Sequence, residues 1–188
     1  MNLFSFPRLF FLGVFSVTSL FLVANERKSV RVLTYNAWYG FTKKADRKSD
    51  WLGYVHSLES DIVALQELNG YTEEKLAVDG KFWGHKHSAL LKRDGFPTGI
   101  TSRYPIENIR RVTEGYHHGM LSCKTVGIQV YVIHLHPGHW EIRHQEIDLL
   151  LKTVESHQAS EPVLLIGDFN TFSERDQAHY EQTPDMIP

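Results

Sequence analysis

Hydrophobic and polar positions change their period several times along this chain. Val30 to Asn36 (Val-Arg-Val-Leu-Thr-Tyr-Asn) is β-branched and apolar with a polar end, and predicts a first strand. Trp51, Tyr54, Val55 and Leu58 then fall at i, i+3, i+4 and i+7. That spacing is one face of a helix, with Ser49 or Asp50 placed to cap its start. Asp61-Ile62-Val63-Ala64-Leu65 predicts a second, buried strand that stops at Gln66-Glu67. Strand, helix and strand in so short a span form a βαβ unit, which implies parallel pairing.

The middle of the chain reads differently. Residues 85–135 alternate strand-like runs with turn signals at Asp94-Gly95, Phe96-Pro97, Tyr104-Pro105, Glu114-Gly115 and Val126-Gly127. These predict antiparallel hairpins. After His134-Leu135-His136-Pro137-Gly138, a helix is predicted from about Trp140 to His157, with Ile147, Leu150, Leu151 and Val154 on its apolar face. It leads into the buried run Val163–Ile166, which stops at Gly167-Asp168-Phe169-Asn170 and closes a second strand–helix–strand unit. The expected class is α/β, a mixed sheet with helices outside it.

Composition narrows this picture. With 188 residues, 42% hydrophobic and 12% aromatic, the chain can build one globular core. A formal net charge of -2 excludes a global basic field of the kind that marks nucleic-acid binding. Cys123 is the sole cysteine, which excludes an intrachain disulfide and a cysteine-based zinc site. From Met1 to Asn25 the only charged side chain is Arg8; an uncharged, largely apolar run, Leu9 to Ala24, follows it. This predicts an export signal over residues 1–24 that is either cleaved or kept as a membrane anchor. A polar linker over 25–29 and a domain over 30–188 follow, and the domain is expected outside the cytosol: secreted, periplasmic or anchored.

The candidate chemistry lies where apolar strands stop. Asn36, Glu67, and Asp168 with Asn170 end three of them, and His134 ends a fourth. Strand alternation sends Asp168 and Asn170 to one side and Phe169 to the core. Gly, Asp and Asn are also ordinary turn residues, so this stretch alone decides nothing. In layered α/β proteins, however, the carboxyl ends of strands converge on a ligand crevice. Hard oxygen ligands such as those of Glu67 and Asn36 suit Mg²⁺, Mn²⁺ or Ca²⁺, and Mg²⁺ commonly takes up substrate phosphate. Hydrolysis of a phosphate ester is the reaction this points to.

Five motifs occur in order: Leu33-Thr34-Tyr35-Asn36, Leu65-Gln66-Glu67, Thr101-Ser102-Arg103-Tyr104-Pro105-Ile106, His134-Leu135 and Gly167-Asp168-Phe169-Asn170. In this the chain resembles the endonuclease/exonuclease/phosphatase superfamily of DNase I-like nucleases, abasic-site endonucleases, neutral sphingomyelinases and inositol phosphatases. The resemblance implies a four-layered α/β sandwich of two packed mixed sheets flanked by helices. It implies Glu67 as main metal ligand with Asn36 assisting, Mg²⁺ as cofactor, and Asp168 orienting or deprotonating the attacking water. Asn170 and His134 would donate hydrogen bonds to phosphate oxygens. Arg103 would be either a phosphate contact or, by preference, a structural salt bridge. The family also carries a Ser-Asp-His motif further downstream. In residues 171–188 the sole histidine is His179, outside any such context. The resemblance therefore implies an incomplete domain lacking its final strands, an unpaired sheet edge, and weak or absent activity.

Three further expectations concern function. His134-Leu135-His136-Pro137-Gly138-His139 has the spacing of a His-x-His-x-Asp-His zinc site with Gly138 in the Asp position, so a zinc hydrolase using His134, His136 and His139 is an alternative. A non-catalytic exported binding module is another. The default for His136 and His139 is a polar loop, and for His85, His87, His117 and His118 the surface. The expected partner is a phosphate-ester substrate: nucleic acid, phospholipid head group or small molecule. The protein is expected as a monomer. Lys43, Lys44, Arg47 and Lys48 are read as a solvated loop, and Trp38, Tyr39 and Phe41 as core in preference to a stacking or lipid-dipping group.

Overall fold

A computed structural model describes residues 29–156, 161–171, 175, 181 and 182. The predicted export segment, His179 and the terminal Thr183–Pro188 stretch lie outside the described residues. The described strands are β1 (Val32–Asn36), β2 (Ile62–Gln66), β3 (His87–Leu90), β4 (Gly99–Ser102), β5 (Ile106–Val112), β6 (Met120–Thr125), β7 (Ile128–His134) and β8 (Val163–Asp168). The helices are α1 (Lys48–Ser57), α2 (Glu73–Phe82) and α3 (Trp140–Glu155), with a 3₁₀ turn at Thr42–Arg47 before α1. Among the described residues, no helix is long and apolar enough to cross a membrane.

Two mixed sheets form, ordered β1-β2-β4-β3 and β5-β6-β7-β8. As the two βαβ patterns require, β1 pairs parallel with β2 and β7 parallel with β8. The predicted hairpins supply the antiparallel pairs β3–β4, β5–β6 and β6–β7. Alternation along β2 explains the layering. Ile62 and Ala64 pack between the sheets with Ile100, Leu121, Val130, Val132 and Ile166. Val63 and Leu65 face the other way, against Trp51, Val55 and Leu76 of α1 and α2. A third cluster covers the outer face of the second sheet, where Tyr131 and Ile133 meet Leu150 of α3. Helices, sheet, sheet and helix thus stack in four layers. β2 is buried on both faces, as its unbroken apolar run predicts.

The helices correct the sequence reading in three places. In α1, Trp51 and Val55 are buried but Tyr54 is 58% exposed, so the apolar face is narrower than the spacing implies. In α3, Leu150 is buried, whereas Leu151 is exposed and the carboxylate-bearing Glu146 is fully buried in its stead. α2 was not foreseen. Its start is marked by Thr72, whose side chain accepts the Lys75 backbone N–H at 3.2 Å.

The sheet edges are unlike one another. β5 exposes Glu107, Arg110 and Arg111 and carries a bulge between Glu107 and Arg110, both of which discourage further pairing. β1 and β8 have one strand neighbour each among the described residues, and expose Val32, Tyr35 and Val163. These two apolar edges lie beside each other across the sandwich.

Candidate active site

Register decides what meets at the strand ends. Asn36 pairs opposite Gln66 in the parallel β1–β2 ladder, which puts Asn36 and Glu67 at one end. His134 pairs opposite Asp168 in β7–β8. Packing of the sheets then brings the two pairs together. Asn36 Nδ2 lies 3.0 Å from Glu67 Oε1 and 3.0 Å from Asp168 Oδ2, so one carboxamide donates to both carboxylates. Asn36 Oδ1 accepts the Trp38 N–H at 2.9 Å, and Glu67 Oε2 accepts the Tyr39 N–H at 3.1 Å. Asp168 Oδ1 accepts the Asn170 N–H at 2.9 Å, an Asx turn that ends β8. The nearby open cleft of about 580 Å³ is lined by Tyr35, Asn36, Asp168 and Asn170 among others.

Backbone conformation is unusual here. Among the described residues, eight non-glycine positions have positive φ, and five of them, Trp38, Tyr39, Phe41, Glu67 and Asn170, surround this site. Each costs about 1–2 kcal/mol unless the surroundings hold it. Gly167 is required for a related reason. A side chain there would run into the Ile133 carbonyl across the β7–β8 ladder, so the residue before Asp168 must be glycine.

Asn170 takes φ of 47°, so the strand alternation that would align it with Asp168 has already ended. Its Nδ2 donates to Leu135 O at 2.7 Å, which leaves one amide hydrogen for another acceptor. Phe169 packs on the α3-side cluster as predicted. His134 is 4% exposed. Its Nε2 lies 3.9 Å from Asp168 Oδ2, and its Nδ1 is buried without a hydrogen-bond partner. Burial lowers its pKa below the ordinary imidazole value, against the pull of Asp168 and Glu67. The ring is therefore neutral at neutral pH.

Several neighbours were missed by the sequence reading. The His118 ring is buried, not at the surface, and stacks on His134 with centroids 4.1 Å apart and planes 19° from parallel. Burial, then the neighbouring His134 and His117, push its pKa down to about 3. His117 is exposed and lies 4.2 Å from His136, centroid to centroid. Glu146 ties this region to α3: its carboxylate accepts the backbone N–H of His117 at 2.6 Å and of His136 at 2.8 Å. A carboxylate one helical turn before Leu150, on the face of α3 that Leu150 buries, is the one sequence signal that could have revealed it. His85 is also buried, but away from the site.

Two alternatives weighed in the sequence, a phosphate contact by Arg103 and a zinc site, find no support in the geometry. Arg103 sits at the far end of β2 from Glu67, because β4 runs antiparallel to β2. There its Nε donates to Ser60 O at 3.0 Å and lies 3.7 Å from Asp61, which makes it a structural ion pair and not a phosphate contact. The zinc alternative fails on tautomer and placement. His136 Nδ1 accepts N–H groups from Gly138 and His139 at 3.0 Å each, which puts the proton of the neutral ring on Nε2. His139 is exposed, and among the described residues no three His, Cys, Asp or Glu side chains are arranged to hold a metal. The carboxylates of Glu67 and Asp168 are of a different kind. They share the Asn36 Nδ2 donor while Asn36 Oδ1 is turned to the Trp38 N–H, and a hard divalent cation between them would require the amide to turn and present Oδ1.

The sequence profile of the Endonuclease/Exonuclease/phosphatase family matches residues 33–184. This chain belongs to that family. The family is one of phosphoester hydrolases, and the strand-end residues above fall in its matched span. The chain is 28% identical over 177 residues to the uncharacterized protein YbhP of Escherichia coli (strain K12), covering 80% of this chain and 70% of that protein. Among solved structures it resembles an AP endonuclease from Archaeoglobus fulgidus, with TM-score 0.59 and 16% identity over 76% of this chain and 58% of that one. It also resembles the 3′ phosphatase NExo from Neisseria bound to a product DNA hairpin, with TM-score 0.62 and 17% identity over 82% and 63% of the two chains. ANGEL2, a 2′,3′-cyclic phosphatase in complex with adenosine-2′,3′-vanadate, gives TM-score 0.62 and 15% identity over 82% and 57%. At these identities the structures establish a shared DNase I-like fold. The chain spans less than two thirds of the length of all three.

Proposed function

We propose that this domain hydrolyses phosphate esters, phosphodiesters among them, by attack of water on phosphorus. The observation that carries the reading is the single Asn36 carboxamide nitrogen within 3.0 Å of both Glu67 and Asp168, which joins strand ends of two sheets at one point. Glu67 and Asn36 would hold Mg²⁺, with Mn²⁺ or Ca²⁺ as substitutes, and the bound cation supplies Lewis-acid polarisation of the phosphate. Asp168 takes a proton from the attacking water as its oxygen bonds to phosphorus. The phosphorus–oxygen bond to the leaving group breaks, and solvent protonates the departing oxygen. His134, neutral and dry, donates a hydrogen bond to a phosphate oxygen, and the second Asn170 amide hydrogen donates to another. Preorganised donors of this kind are each worth about 10²–10³ in rate. We further propose that the reaction takes place outside the cytosol, by a secreted, periplasmic or membrane-anchored protein, a reading supported by the uncharged apolar run Leu9 to Ala24.

The test is hydrolysis of bis(p-nitrophenyl) phosphate by the purified protein. Because residues 171–188 carry no Ser-Asp-His motif, only weak turnover is expected with Mg²⁺, with loss of even that in EDTA and in Asp168→Ala. Tight binding of phosphoesters with no turnover under any metal would instead favour the non-catalytic binding module.

A further inference from the structure

Four consecutive residues after the first strand occupy the left-handed region: Trp38 at φ 40°, Tyr39 at 59°, Gly40 at 63° and Phe41 at 67°. Gly40 is the one of the four that adopts it freely, and a side chain there would strike the Asn69 backbone carbonyl. Three aromatic residues in this conformation persist because the turn is tied down at every amide. Trp38 N donates to Asn36 Oδ1 at 2.9 Å and Tyr39 N to Glu67 Oε2 at 3.1 Å. Gly40 N donates to Glu67 O at 2.6 Å and Phe41 N to Ala37 O at 2.7 Å. Strained backbone held this firmly beside a site is a reason to ask what it presents.

The turn sorts its rings. Phe41 points into the core and packs on Trp51 at 4.3 Å between centroids. Tyr39 is half-exposed, with its ring against Phe96 at 5.1 Å and the Lys43 ammonium 4.4 Å from its centroid. Phe96 in turn meets His118 at 5.4 Å, and His118 stacks on His134. A row of flat rings thus runs from the turn to the imidazole beside Asp168. Trp38 is 55% exposed, and its indole has no ring partner among the described residues. Its backbone is bonded to Asn36, the residue that joins the two carboxylates.

We propose that Trp38 is a specificity-determining residue whose indole stacks on a nucleobase of the phosphoester held at Asn36, Glu67 and Asp168. This rests on the phosphoesterase reading of that site. A flat ring on a rigid support suits base stacking, which is tolerant of sequence. A lipid anchor needs a broader apolar surface than a turn bearing Tyr39, Lys43 and Lys44 offers.

Calorimetric titration with AMP and with ribose 5-phosphate separates the two, since both carry the same phosphate and only AMP carries a base. The wild-type protein should bind AMP at least about tenfold more tightly. Trp38→Ala should bring the two ligands within about twofold of each other without changing the affinity for ribose 5-phosphate, and Trp38→Phe should keep most of the preference. Asp168→Asn should leave the ratio intact. Equal affinities in the wild type, or an unchanged ratio in Trp38→Ala, overturn the proposal. So does a Trp38→Ala protein whose only defect is lost sedimentation with phosphatidylglycerol vesicles. Hydrolysis of bis(p-nitrophenyl) phosphate with an unchanged ratio would fail this proposal alone. No binding of either ligand together with no hydrolysis would fail both readings.

Discussion

Two histidines, His85 and His134, are almost equally buried, and their surroundings diverge. At His85, Nε2 donates to Ser60 O at 2.8 Å, and Nδ1 accepts from the Thr101 hydroxyl at 2.7 Å. Trp83 Nε1 donates to the same hydroxyl oxygen at 3.0 Å, so the chain of donors and acceptors is complete. At His134, Nδ1 has no partner and Nε2 stands 3.9 Å from a carboxylate. A buried polar group left open costs about 1–3 kcal/mol, and a protein that tolerates this in a cleft keeps bonding capacity for something that arrives later. Saturated polarity around His85 and Arg103 belongs to the fold. Under the proposed function, open polarity around His134 serves the chemistry.

The contrast can be broken by substitution. Asp168→Ala or Glu67→Ala should reduce kcat/KM for a phosphodiester by about 10³-fold or more, while thermal melting moves by only a few degrees. A collapse in melting temperature instead would mean that these carboxylates serve the fold. His134→Gln should lower kcat by about 10²-fold with little loss of stability, whereas His85→Ala should lower stability by about 1–3 kcal/mol and leave the turnover of folded protein unchanged. Denaturant melts and rates on the same preparations would expose any exchange of these outcomes. Glu146→Ala lies between the two classes. It strands two backbone N–H groups, and should cost about 2–3 kcal/mol together with a roughly tenfold fall in kcat as His117 and His136 lose their support.

The smallest effect is in pH. Burial holds the His85 pKa below the ordinary 6.5, and His118 is pushed to about 3. The unfolded chain therefore takes up protons below pH 6.5 that the native protein refuses. Their contribution to stability is full above 6.5 and is lost as pH falls toward 3. Melting temperatures between about pH 8 and about pH 4 should decline accordingly, and His118→Phe should flatten part of the slope.

Much of the fold was legible because β2 and β8 are short apolar runs with polar stops, and because Gly and Pro mark each hairpin. α2 escaped notice because it packs through little more than Leu76, with Asp79 and Gly80 as its other buried positions. In α3, Ile147, Leu150 and Val154 face the core as their spacing predicts, and only Leu151 does not, since Glu146 fills a core position there. At the site, Asn36, Glu67 and Asp168 could be read as strand ends, and parallel pairing brings such ends together. His118 could not, since its contact with His134 arises across the β5–β6 connection, which no periodicity encodes. Trp38 and Tyr39 look like core in the sequence because aromatic residues usually are. A left-handed turn reverses that expectation and has no signature beyond Gly40.

The apolar edges of β1 and β8 have a consequence for how the protein behaves in quantity. Among the described residues, each has a strand neighbour on one side only and is flanked by Val32, Tyr35 or Val163, without the charges and bulge that blunt β5. Copies that meet along these edges can extend each sheet at the usual spacing of about 4.8 Å, and nothing in the geometry closes the array. Crowding would therefore turn separate sandwiches into growing ribbons. Whatever polypeptide covers those edges serves as a chain terminator for that growth.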